Sequence, residues 1–149
     1  MKDINIVIDK KYSEPEITIR TNKKTKEIDN IIEAIKKIDN NDSLFISAYS
    51  PGKLERIPLS DIIRIRRYDR QVILETEQNS FVLKKTLTKL EEELDNEKFI
   101  RISQSEIINA YKVKSMDISV SGTIIIEFDN GIKSYVSRRY VKYVKEFFK

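Results

Sequence analysis

The 149-residue sequence predicts a mainly β protein, α+β overall, and three observations carry that expectation. From residue 43 onward, short runs alternate apolar and polar residues at period two, the pattern of half-buried strands. Turn-forming residues punctuate these runs: Pro51 with Gly52, Gln78 with Asn79, and Asp129, Asn130 and Gly131 in succession. Asn-Gly between alternating runs is the strongest short-range hairpin signal. Apolar spacings of three and four occur in only a few segments, which are read as helices.

Taken in order, "INIVIDK" (4–10) has the β-branched content of a strand, and "PEITIRT" (15–21) alternates Ile17 and Ile19 with Thr18 and Arg20. "TKEIDNIIEAIKKIDN" then sets Ile28, Ile31, Ile32, Ile35 and Ile38 on one helical face, with Thr25 as N-cap and Asn40, Asn41 and Asp42 as the stop. Residues 1–42 are therefore expected to form a β-β-α segment preceding a domain over 43–149. It is too small to fold alone, so its isoleucine face is expected to pack against its own domain or to pair two protomers. A strictly monomeric sedimentation profile at high micromolar concentration would exclude the pairing.

"LFISAYS" reads as a strand, "PGK" as a turn, and "LERIPLSDIIRIRRYD" as a second strand region in which Ile63 and Ile65 alternate with Arg64 and Arg66. "RQVILETEQNSFVLKK" reads as a hairpin with strands over 71–76 and 80–85. "TLTKLEEELDNEK" places Leu87, Leu90 and Leu94 on one stripe with Thr86 as cap, and Glu91, Glu92 and Glu93 on the wet face. Beyond it come the strand "FIRIS", an apolar stretch through Ile107 and Ile108, and the pair "TIIIEF" and "KSYVS" joined by the Asn-Gly turn. The tail 138–149 spaces Val141, Val144 and Phe148 as a short amphipathic helix.

Composition narrows the function. With no Cys and no His, disulfides, thiolate nucleophiles, His-containing triads and the usual tetrahedral zinc sites are out. No pair of carboxylates or lysine motif singles out catalysis, so an enzyme, a metal site, a cofactor and a small-molecule ligand are not expected. No apolar run reaches the roughly 18 residues that span a bilayer, and the N-terminus lacks a signal-like apolar stretch. The expected location is cytoplasmic, without membrane insertion. Residues 1–44 carry nine Lys/Arg and nine Asp/Glu, residues 45–98 ten of each, and residues 99–149 nine against five; the whole net charge of +4 lies in the last third. A local cationic excess on a nearly neutral chain points to an anionic partner at one surface.

Four features occur in one order: a strand ending in a basic loop (Arg64, Arg66, Arg67, Arg70), the Leu-striped helix, "FIRISQSEIINAYKV", and the Asn-Gly hairpin running into "YVSRRYVKYVK". Together they resemble the LytTR DNA-binding domain, whose pattern is F-x-R-x-H-(R/N)-S-x-(I/V)-(I/V)-N … N-G … (V/P)-S-R-x-Y. The resemblance covers roughly residues 43–149 and looks like the stand-alone type, since 1–42 is too short for a receiver domain. It implies antiparallel β-sheets with short helices that feed inter-strand loops into successive major grooves of double-stranded DNA. A helix-turn-helix does not fit, because the central and C-terminal helices lie far apart in the chain.

Three loops carry base reading in this family. Their counterparts here are "RRYDR", with Arg70 as reader; residues 103–105, with Gln104 as reader of adenine; and residues 137–139, with Arg139 as reader of guanine. Ser103 stands where the family usually has His, and Gln104 where it has Arg or Asn. A purely structural role for Arg70 would pair it with Asp69 or Glu75. Phosphate contacts are expected from Arg67, Lys84, Lys85, Arg101, Ser105, Ser137, Arg138 and Lys142, which hold the duplex without reading it. Asn109 is expected to be buried and to satisfy turn backbone. The expected function is a bacterial sequence-specific transcriptional regulator, with a possible homodimer. A protein-interaction module of the same fold is the alternative, and RNA stacking by Tyr135, Tyr140 and Tyr143 is a third.

Overall fold

In the computed structural model, which describes residues 4–39, 44–119 and 122–149, the chain falls into two units, Met1–Lys37 and Ile38–Lys149. The isoleucine periodicity forms helix α1, Lys26–Asp39, most of it in the first unit. The Thr25 hydroxyl accepts the Ile28 amide at 3.4 Å, as an N-cap should. The expected stop at residues 40–42 lies outside the described residues. The two expected strands are absent: 4–10 and 15–21 have no ladder partner among the described residues, and Ile4, Ile6, Val7 and Ile8 are all more than three-quarters exposed. Strand propensity measures fit to a half-buried pleated surface, and an isolated hairpin is marginal in water. Here the alternating segment pairs with no other described residue.

The second unit carries two antiparallel sheets. The larger orders seven strands as β2-β1-β5-β4-β3-β7-β6. These are β1 (Phe45–Ser50), β2 (Lys53–Pro58), β3 (Arg64–Tyr68), β4 (Gln71–Glu75), β5 (Ser80–Leu83), β6 (Phe99–Ser103) and β7 (Glu106–Asn109). The smaller is β10-β9-β8, from β8 (Val113–Ile118), β9 (Ile124–Phe128) and β10 (Lys133–Val136). Gly52 (φ +72°) and Gly131 (φ +83°) close the β1–β2 and β9–β10 turns in the left-handed region that favours glycine. Helix α2 (Leu87–Glu93) is capped by Thr86, whose hydroxyl accepts the Lys89 amide at 3.2 Å; helix α3 is Val141–Phe147.

β6 and β7 are buried on both faces, which explains why "FIRI" and "EII" read as near-continuous apolar runs. Phe99 and Ile107 enter a core with Leu74, Leu83, the α2 residues Leu87 and Leu90, and Leu94 just beyond the helix. Ile100, Ile102 and Ile108 enter a second core with Ile124, Ile126, Phe128, Val136 and Val144. The expected alternation around β3 is corrected in the same way: Ile65 joins the first core and Ile63 the second. Arg64 lies between them, its side chain only 11% exposed. Asn109 is buried as expected: its Nδ2 donates to the Ile62 carbonyl at 2.8 Å and its Oδ1 accepts the Tyr111 amide at 3.0 Å.

Candidate nucleic-acid interface

Strand register brings the three expected loops to one end of the large sheet. In the β3–β4 pair Tyr68 faces Gln71, so their turn sits where β3 ends. β7 runs antiparallel to β3 with Glu106 opposite Arg66, which puts the β6–β7 turn at that same end. The Arg67 amide donates to the Ser105 carbonyl at 2.8 Å and ties the two turns together. Leu83 faces Val72, so Lys84 and Lys85 leave β5 there too. Finally, the Ser137 amide donates to the Ile102 carbonyl at 3.0 Å, seating residues 137–139 beside the end of β6. The Pro51 and Gly52 turn and the 76–79 turn occupy the opposite end, by the same registers.

The first loop is tighter than expected. Arg67 and Tyr68 belong to β3, leaving a two-residue turn of Asp69 (φ 47°) and Arg70 (φ 64°). Positive φ at both positions is the signature of a type I′ hairpin, usually met by Asn, Asp or Gly. Arg70 is exposed at the tip. The Glu75 carboxylate is instead held by the Arg64 Nε and, at 3.0 Å, by the Arg66 Nε.

In the second turn Gln104 is exposed, and the Ser103 hydroxyl accepts the Ser105 amide at 3.2 Å. Arg101, by contrast, is turned inward with its side chain 13% exposed. It donates to the carbonyls of Ser103 (3.0 Å) and Gln104 (2.6 Å) and to Thr88 Oγ1 (3.3 Å) and Glu91 Oε2 (3.0 Å) on α2. In the third segment residues 138–140 form one 3-10 turn leading into α3, which Val144 anchors in the second core; Arg138 and Arg139 are both exposed.

Among the other expected phosphate contacts, Arg67 and Lys142 are exposed, and the Lys84 ammonium lies 4.4 Å from the Tyr49 ring centroid. The Lys85 ammonium donates to Glu93 at 2.6 Å, which holds that carboxyl below its ordinary value. Tyr140 packs against the second core, whereas Tyr135 and Tyr143 are exposed on separate elements, not on one stacking face. Among the described residues, no group of three or more His, Cys, Asp or Glu is placed to hold a metal ion, and no helix is long and apolar enough to cross a membrane.

Sequence reasoning missed a polar cluster joining the two sheets. The Arg64 Nη1 donates to Ser134 Oγ at 2.9 Å and to the Lys133 carbonyl at 3.3 Å, and the Ser134 hydroxyl donates to the Glu106 carboxylate. Periodicity carries no signal for it, because its members lie on four strands up to 70 residues apart. Burial pushes the Glu106 carboxyl up; the Ser134 hydroxyl and the Arg64 guanidinium, 3.5 Å away and shared with Glu75, offset it only in part. A raised folded-state value means that the native state binds the proton more tightly than the unfolded chain. That contribution to stability is fully present below the ordinary glutamate range and is lost as pH rises through the raised value. Urea titrations over that interval are expected to show the parent losing stability relative to Glu106→Gln; parallel curves would refute it.

A family profile described as the LytTr DNA-binding domain matches residues 52–149. The chain is 32% identical over 146 residues to the uncharacterized HTH-type transcriptional regulator SAS2254 of Staphylococcus aureus strain MSSA476, covering 98% of this chain and 97% of that one. It is 31% identical, with the same coverage, to the similarly named SAR2449 of strain MRSA252. Among solved structures, the LytTr DNA-binding domain of a Bacillus cereus protein superposes with a TM-score of 0.67 at 22% identity, covering 70% of this chain and 95% of that one. In this chain α2 and α3 are separated by five strands.

Proposed function

The chain belongs to the LytTr DNA-binding domain family, and on that premise we propose that it is a sequence-specific DNA-binding transcriptional regulator. The observation that carries the reading is the convergence of three turns at one sheet end, each presenting an exposed long polar side chain: Arg70, Gln104 and Arg139. Two planar guanidinium forks suit guanine O6 and N7 in a major groove, and a primary amide suits adenine N6 and N7. Arg67, Lys84, Arg138 and Lys142 are exposed around them and serve the flanking phosphates. Ser105 and Ser137 supply hydroxyls at the rim of the same end, and Lys85 reaches a phosphate only by releasing Glu93.

Selection of binding sites from random duplexes by the purified chain tests this reading. An enriched motif is expected, and paired repeats about one or two helical turns apart would report two protomers on one duplex. Affinity for the selected duplex is expected to fall steeply with salt, and Lys142→Ala is expected to shallow that slope by about one while weakening all duplexes alike. No enrichment, with affinity absent or insensitive to salt, would favour a protein-interaction module on the same fold.

A further inference from the structure

We propose that Arg101 is a positioning residue that fixes the Gln104 turn to helix α2, and not one of the phosphate contacts. The inference rests on the reading that this end of the sheet meets DNA, and it assigns a source for the geometry of that end. β6 carries an irregularity between Arg101 and Ser103, so its ladder to β7 is interrupted just before the turn. The Arg101 guanidinium fills the gap: one edge donates to the carbonyls of residues 103 and 104, and the other grips Thr88 and Glu91. Four bonds from one planar fork, on a side chain only 13% exposed, leave little donor capacity or access for a phosphate. α2 is in turn held by Leu87, Leu90 and Leu94 in the first core, so the turn is referenced to packed structure instead of hanging from two strand ends.

Lysine separates the two roles. A phosphate contact needs only a cation on a flexible stem, which lysine provides; bridging two carbonyls and two helix side chains needs the spread of a guanidinium. Arg101→Lys is therefore expected to bind random-sequence duplex with unchanged affinity and salt slope, and to lose about tenfold in affinity for the selected duplex. Glu91→Gln, which removes the charge of the exposed partner and leaves Arg101 in place, is expected to move specific affinity in the same direction by less. In the free proteins, amide hydrogen exchange at Gln104 and Ser105 is expected to quicken in both variants while β3 and β4 stay protected.

The opposite pattern overturns the proposal: Arg101→Lys behaving as parent on both duplexes, with Arg101→Gln weakening both together and shallowing the salt slope by about one. Unchanged exchange at 104 and 105 in Arg101→Lys overturns it independently, without DNA. Failure of the parent to bind any duplex, with quickened exchange in the variants, overturns the DNA reading and leaves the brace standing.

Discussion

Arg64→Ala is expected to lower the stability of the second unit by about 3–5 kcal/mol, as breaking a buried ion pair does. Arg64, Glu75 and Glu106 have side chains 11%, 12% and 13% exposed. Truncation would leave two carboxylates with little solvent and without their shared cation. It would also remove the donor that reaches Ser134 and the Lys133 carbonyl across to the smaller sheet. The residual pairing of Glu75 with Arg66 at 2.9 Å sets the lower end of the range, because that guanidinium is 35% exposed and can compensate in part. Urea unfolding with an unchanged m-value would measure the loss. A loss below about 1 kcal/mol, the scale of a surface pair, would show that the cluster is solvated.

The base-reading arginines should separate stability from function. Arg70→Gly is expected to leave the protein as stable as the parent or more so, while costing about 1–3 kcal/mol of binding to the selected duplex. The reason is local. At φ 64° an L side chain is strained, by about 1–2 kcal/mol in this region, and glycine relieves that strain while giving back part of it as unfolded-state entropy. A fold selected for stability alone would place Gly or Asn there. Arg139→Ala, on an exposed 3-10 turn, should cost a similar amount of binding with little change in stability, and each substitution should relax preference at one base pair. Lost stability in Arg70→Gly would contradict the strain argument, and specific affinity that persists in both variants would mean that these turns do not read DNA.

Most of the second unit was legible because its signals are local. Asn130 and Gly131 announce the β9–β10 turn, Leu87, Leu90 and Leu94 announce α2, and Thr86 caps it. The N-terminal segments show the limit of such signals: Ile17 and Ile19 alternate as a strand should, yet pairing is a property of two segments, and neither of the two found one. The Arg70 turn was placed correctly and drawn too long, since Asp followed by Arg is not a sequence signature of a type I′ hairpin. A cation beside a polar loop looks solvent-facing in sequence, and the partners of Arg101 on α2, 10 and 13 residues away, appear only in three dimensions. The Arg64 cluster was hidden for the same reason, at greater separation.

Titration of the 15N-labelled chain with its selected duplex tests most directly whether one end of the large sheet reads DNA. Amide shifts are expected to concentrate at residues 67–70, 84–85, 103–105 and 137–142, with Gly52 and residues 76–79 unmoved. Shifts centred on that second set, or no shifts at concentrations where binding is saturated, would contradict it.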